Sequence, residues 1–188
     1  MAKIATHDSA TGERSKHLLH ALGKVFAQTQ DKTIKEQYEA GCRYFDLRVD
    51  RDLVLCHGLW KANKDLADIL IEMRGYVNQE TYVAVTIERG YSDEETASIA
   101  NRIRKVLNLY GGLVKLVYIA RKKPQWSIIK EYRKVACVSN YLSVPSPREY
   151  LTLAHDDWRR YIPIPRILKK ITPKKEVAGD CFVMVDFI

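Results

Sequence analysis

Apolar and polar positions along this chain change period several times, and each change marks an element. Tyr82-Val83-Ala84-Val85-Thr86-Ile87 is a continuous β-branched run of the kind that fills a buried strand. Ile4-Ala5-Thr6, Tyr44 to Val49, Leu53-Val54-Leu55-Cys56, Lys115 to Ala120, Val135 to Val138 and Phe182 to Ile188 read as further strands. Between them the period shifts towards 3.6. Leu18, Leu19, Leu22, Val25 and Phe26 predict one helix, and Leu66, Ile69, Leu70 and Met73 predict another that ends near Gly75. Ile99, Ile103, Val106, Leu107 and Tyr110 predict a long helix capped by Ser92 or Asp93 and stopped by Gly111-Gly112. Thr33 is placed to cap a short helix over Ile34 to Ala40, with Gly41 just past its end, and Gln125 to Arg133 reads as one more.

Strand and helix therefore alternate, which predicts an α/β fold with a largely parallel sheet. Residues 141–180 break the rhythm, because Pro145, Pro147, Pro163, Pro165 and Pro173 interrupt long regular elements. About six strands of barrel type can be counted, around Ile4, Tyr44, Val83, Leu116, Val135 and Val183. An eight-stranded βα barrel typically takes about 250 residues. The expectation is a small, irregular or truncated TIM-type barrel, with residues 1–188 as a single domain.

Composition narrows the classes. The 46% apolar and 29% charged fractions are those of a globular protein, and no stretch approaches the ~20 apolar residues of a membrane span. The N-terminus runs into polar motif residues too early for a secretory leader, so a cytoplasmic location is expected, or secretion if a leader has been removed. Cys42, Cys56, Cys137 and Cys181 lack the close spacing of zinc ligands and read as buried thiols. Charge is uneven: residues 1–94 hold 13 Lys/Arg against 15 Asp/Glu, and residues 95–188 hold 18 against 8. The basic second half, with Arg121-Lys122-Lys123 and the run from Trp158 to Lys170, suits peripheral contact with an anionic membrane. No recognised nucleic-acid module accompanies it, so no nucleic-acid partner is expected, and a monomer is.

Two histidines carry the candidate chemistry. Thr6-His7-Asp8-Ser9 lies near the N-terminus and Cys56-His57-Gly58 fifty residues later. Between them Asp46 and Arg48 share one face of a strand, because strand side chains alternate with period two. His7, Asp46, Arg48, Glu88, Arg89 and Asp186 all fall at or near the ends of predicted strands, where βα barrels gather catalytic groups. Paired histidines with carboxylates and an arginine point to acid/base chemistry on a phosphate. Gly111-Gly112 lacks the spacing of a phosphate loop and reads as a turn.

Taken together, Thr6-His7-Asp8-Ser9, Gln37, Gly41, Arg43-Tyr44-Phe45-Asp46-Leu47-Arg48, His57-Gly58 and Val183-Met184-Val185-Asp186-Phe187 resemble the X-region of phosphatidylinositol-specific phospholipase C in its bacterial, metal-independent form. The resemblance covers roughly the first ninety residues and the last strand. It implies a PLC-like phosphodiesterase barrel that cleaves phosphatidylinositol or a related glycolipid by attack of the inositol 2-hydroxyl, giving diacylglycerol and a cyclic inositol phosphate. His7 would be the general base, oriented by Asp186, and His57 the general acid, supported by Asp8. Arg48 would neutralise the phosphate oxygens, Asp46 would brace the site, and Glu88, Arg89 and Tyr141 would contact substrate. No metal is implied, since an acidic residue stands at the position of Arg48 in the calcium-dependent relatives and a guanidinium cannot ligate a cation. Calcium held by Glu88, Asp46 and Asp8 is the second alternative, because Glu88 matches a calcium ligand of those relatives where bacterial enzymes tend to have lysine. An ion pair between Glu88 and Arg48 is the favoured use. Hydrolysis of a glycerophosphodiester and a catalytically weak, anionic-lipid-binding module are the alternative functions. Ser139-Asn140-Tyr141 departs from the bacterial pattern, which places an inositol-contacting arginine there.

Overall fold

A computed structural model of the protein describes residues 3–6, 8–121 and 182–185. Strand β1 (Lys3–Thr6) runs into a 3-10 turn over Ser9–Gly12, followed by helices α1 (Leu18–Ala27) and α2 (Ile34–Glu39). Next come β2 (Cys42–Val49), β3 (Val54–His57), β4 (Trp60–Asp65), α3 (Leu66–Arg74) and β5 (Thr81–Ile87). Helix α4 (Asp93–Tyr110), β6 (Val114–Arg121) and β7 (Phe182–Val185) complete the order.

Strand β2 organises the sheet. One edge pairs in parallel with β5 from Tyr44 opposite Tyr82 to Val49 opposite Ile87. A strand has only two edges, so its remaining partners share the other: β1 lies parallel to its first half, Thr6 opposite Phe45, and β3 antiparallel at its end, Val49 opposite Leu55. The turn that follows β1 is thereby directed towards the end of β3. Outside this junction β7 pairs in parallel with β1, and β6 with β5.

The parallel sheet expected from the sequence is found in β7, β1, β2, β5 and β6, but β3 and β4 form an antiparallel hairpin, so the sheet is mixed. Among the described residues it does not close, and the TIM-type barrel is not reproduced as such. The strand read at Val135 to Val138 and the helix at Gln125 to Arg133 lie outside the described residues. Strand β4 was not anticipated. It follows a two-residue turn, Gly58-Leu59, in which Gly58 takes φ +59, the left-handed conformation that such tight hairpins favour.

The core lies between the sheet and two helices. Leu47, Val49, Val83, Val85 and Ile87 pack against Ile69, Leu70 and Met73 of α3 and Ile99, Ile103 and Leu107 of α4. Capping boxes fix the starts of three helices: Thr33 with Glu36, Asp65 with Asp68, and Ser92 with Glu95. Cys42 and Cys56 are free and buried, and loss of hydration pushes each thiol up to about 12, which leaves them as inert packing groups.

Candidate active site

The loop after β1 forms one wall of the site, and its backbone conformation comes from its own polar residues. Thr6 and Ser9 hydroxyls lie 2.9 Å apart, and Ser9 Oγ donates to the Thr6 carbonyl at 2.8 Å, closing the turn. Asp8 adopts φ +43, which a short polar side chain tolerates better than most. Its N–H donates to Asp46 Oδ2 at 3.3 Å, and its carbonyl accepts Thr11 Oγ1 at 2.9 Å. Thr11 Oγ1 in turn accepts the N–H groups of Thr29 and Gln30, tying the loop to the chain just beyond α1. Gly12 is required by close approach, since a Cβ there would lie 1.8 Å from the Lys32 carbonyl oxygen. Gln37 braces the same loop by donating to the Ser9 carbonyl at 2.7 Å. Glu13, buried, accepts the Ile34 N–H through Oε1 and Lys64 Nζ through Oε2, each at 2.9 Å.

Strand β2 supplies Asp46 and Arg48, two residues apart and on the same face, as strand geometry requires. Arg48 Nε pairs with Asp8 Oδ1 and lies 3.9 Å from Asp46 Oδ2, and its Nη1 donates to Glu88 Oε2 at 3.2 Å. Glu88 sits just past the end of β5, where its N–H donates to the Val49 carbonyl at 2.9 Å. Its other oxygen, Oε1, accepts the Gly58 N–H at 3.1 Å. Asp8, Asp46 and Glu88 are all buried, a costly arrangement for carboxylates that the guanidinium among them offsets. The ion pair expected between Glu88 and Arg48 is present.

His57 arrives from the end of β3. Its Nδ1 lies 2.8 Å from the Ala27 carbonyl, at the C-terminal end of α1, and 3.2 Å from Asp8 Oδ2. Both neighbours are acceptors, so Nδ1 carries the hydrogen and Nε2 is the nitrogen left for proton transfer. Burial pushes the pKa of His57 below its ordinary 6.5, against the pull of Asp8 and with the push of Arg48.

The structure thus brings Asp8, Asp46, Arg48, His57 and Glu88 into one cluster. Arg89, the next residue along, is exposed. His7, Tyr141 and Asp186 lie outside the described residues. Three contributors escaped the sequence reading: the Ala27 carbonyl, Thr11 and Glu13. The first is backbone and leaves no mark in a side-chain pattern, while Thr11 and Glu13 stand in a polar loop where only distant contacts give them meaning.

A calcium ion on Glu88, Asp46 and Asp8 does not fit this donor set. Arg48 is bonded to Asp8 and Glu88, so a fixed cation already stands among the carboxylates that would have to surround the metal. Among the described residues no group of three or more His, Cys, Asp or Glu is arranged to hold one.

No family model matches the chain. It is 28% identical over 105 residues to a 1-phosphatidylinositol phosphodiesterase of Listeria monocytogenes, covering 56% of this chain and 32% of the relative. It is 33% identical over 88 residues to human PI-PLC X domain-containing protein 2, covering 42% of this chain and 28% of that protein. The chain thus spans about a third of the length of these relatives. The solved phosphatidylinositol-specific phospholipase C from Listeria monocytogenes superposes with a TM-score of 0.58 at 16% identity, covering 99% of this chain and 88% of that one. That likeness is one of fold. The resemblance to phosphatidylinositol-specific phospholipases C read from the motifs is carried by the named relatives as well.

Proposed function

We propose that this protein cleaves the phosphodiester of phosphatidylinositol or a related glycolipid by internal attack and without a metal ion. The observation that carries the reading is the convergence of His57, Asp8 and Arg48, with Nε2 of His57 as the proton-transferring nitrogen. In the proposed step the inositol 2-hydroxyl oxygen forms a bond to phosphorus while its proton passes to His7. The bond from phosphorus to the diacylglycerol oxygen breaks, and His57 supplies the proton to that oxygen. Arg48 would neutralise the phosphate oxygens as charge develops on them, and Asp8 would hold the imidazolium form of His57. Asp186 is proposed to orient His7, and Tyr141 and Arg89 to contact the head group.

A lipid surface as partner is supported by α1. Leu18, Leu19 and Leu22 are 82%, 79% and 64% exposed, and Leu59, two residues beyond His57, is 79% exposed. Apolar side chains this exposed, on the helix whose Ala27 carbonyl meets His57 and in the turn that follows His57, suit an interface rather than water. The proposed membrane contact therefore moves towards the N-terminal helix, while most of the basic second half lies outside the described residues.

The test is phosphorus NMR of the protein with phosphatidylinositol micelles in excess chelator. A cyclic inositol phosphate is expected with the wild type, and loss of about 10²-fold or more in rate with His57→Ala, His7→Ala or Arg48→Lys, each removing a group that acts in the transition state. Undiminished turnover in both histidine variants would overturn the mechanism. Vesicle binding with no product would leave a lipid-binding module.

A further inference from the structure

We propose that Glu88 is the positioning residue of this site, whose two carboxylate oxygens set the spacing between Arg48 and the turn that carries His57. The proposal rests on the phosphodiesterase reading for its kinetic consequence and on geometry alone for its structural one. Oε2 takes the Arg48 Nη1 hydrogen at 3.2 Å, and Oε1 takes the Gly58 N–H, one residue beyond His57, at 3.1 Å. Glu88 is itself anchored, because its N–H donates to the Val49 carbonyl, so its backbone is fixed to β2 immediately beyond Arg48. One rigid carboxylate therefore bridges the strand that bears the guanidinium and the hairpin that bears the imidazole.

Both oxygens are committed to protein groups and the side chain is 3% exposed, which argues against direct contact with a substrate hydroxyl. With Asp8 on Nε and Glu88 on Nη1, two points of the planar guanidinium are fixed, and hence its orientation. His57 is held on three sides, by Asp8 from the β1 loop, by the Ala27 carbonyl from α1 and, through Gly58, by Glu88 from β5. An error of about 1 Å in such a spacing is enough to cost about 10²-fold in rate when two groups must address one phosphorus.

Glu88→Gln is the informative variant. An amide keeps only one of the two accepting oxygens that Gly58 and Arg48 occupy separately, so its NH2 turns a donor towards one of these donors. On phosphatidylinositol the expected outcome is kcat lowered at least about tenfold with KM within about twofold, the signature of an interaction expressed in the transition state. A raised KM with unchanged kcat would make Glu88 a substrate contact and overturn the proposal. So would a lowered melting temperature with unchanged kcat per folded molecule, which is all a purely structural role predicts. Should Glu88→Gln fail to fold, Glu88→Asp takes its place, keeping the charge but one methylene too short to span both partners.

A second readout needs no turnover. The Arg48 Nε–H resonance in nitrogen-15 NMR, assigned by its loss in Arg48→Lys, is expected to be distinct and slowly exchanging in the wild type and to be shifted and exchange-broadened in the Glu88 variant. An unchanged resonance overturns the positioning role. If the wild type forms no product but the resonance responds as expected, the catalytic reading fails and the clamp stands.

Discussion

Helices α1 and α3 pack against the same strand, β4, yet they use their apolar residues in opposite ways. In α3 Leu66, Ile69, Leu70 and Met73 are all buried against the sheet and α4, and a capping box of Asp65 and Asp68 fixes its first turn. In α1 Leu18, Leu19 and Leu22 face outward, and the N-cap residue, His17, makes no capping bond. The two helices look alike as sequence periods. What differs is the surface each apolar face meets, and that surface is set by where β4 and the site lie. Folding accounts for the leucines of α3; it gives no reason for those of α1, which is why function is the place to look for one.

The largest effect should separate the two faces directly. Leu70→Ala in α3 empties a fully buried site and is expected to cost about 2–5 kcal/mol of stability. Leu18→Ser, Leu19→Ser and Leu22→Ser in α1 should each change stability by no more than about 0.5 kcal/mol, as exposed substitutions do. On anionic phospholipid vesicles the order reverses: each α1 leucine removed should weaken binding about tenfold, the equivalent of the transfer free energy of part of its side chain. Denaturant melts and vesicle sedimentation on the same set of variants measure both. Equal destabilisation by the α1 set would show that those leucines belong to a core after all.

Much of this contrast could not be read in advance, and the reason is physical. A 3.6-residue period reports that one face is apolar but not what lies opposite it, so α1 and α3 were found equally well and their environments were not. Strand β5 was legible because a β-branched run buried on both faces has few other uses, and β2 because aromatic and aliphatic residues follow closely on Gly41 and end at a turn. Strand β4 was missed because Trp60 and Ala62 alternate with charged and polar residues over too short a span to stand out, although Gly58-Leu59 between them and His57 was a readable hairpin turn. Within the site, Asp46 and Arg48 could be paired from period two alone. The closure of Asp8, His57 and Glu88 onto Arg48 depends on β1 and β3 sharing one edge of β2, a long-range fact that local patterns do not encode.

A second, smaller effect should appear in the pH profile, because α1 reaches the site and α3 does not. The Ala27 carbonyl holds His57, whose buried pKa lies below 6.5. As a general acid His57 must be protonated, so kcat/KM should fall as pH rises through that lowered pKa, with the falling limb below 6.5. The stability contribution runs the other way: it is complete above 6.5 and is lost as pH falls through the folded-state value. Ala21→Gly in α1 and Ala67→Gly in α3 should each cost about 1 kcal/mol in helix stability. Only the former loosens the cover over His57, admitting water and moving the limb up towards 6.5, while Asp8, Arg48 and Glu88 still face the ring. A shift of the same size in Ala67→Gly would mean that the pKa reports general loosening and not the α1 contact.

The smallest effect concerns the two helix starts. Asp65→Ala removes the side chain that accepts the Asp68 N–H in α3 and should cost about 1 kcal/mol. His17→Ser offers α1 a cap it lacks and should return a few tenths of that, up to about 1 kcal/mol. The gain carries the sharper question, because a helix left uncapped can be strengthened cheaply. If lipid binding uses α1 as a fixed apolar platform, the better-capped helix should bind vesicles at least as well as the wild type. If binding requires the first turn of α1 to unwind so that Leu18 and Leu19 can enter the lipid, the same substitution should stabilise the protein and weaken its binding. A melt and a sedimentation assay on this one variant therefore decide whether the outward leucines act as a rigid surface or as a segment that rearranges on contact.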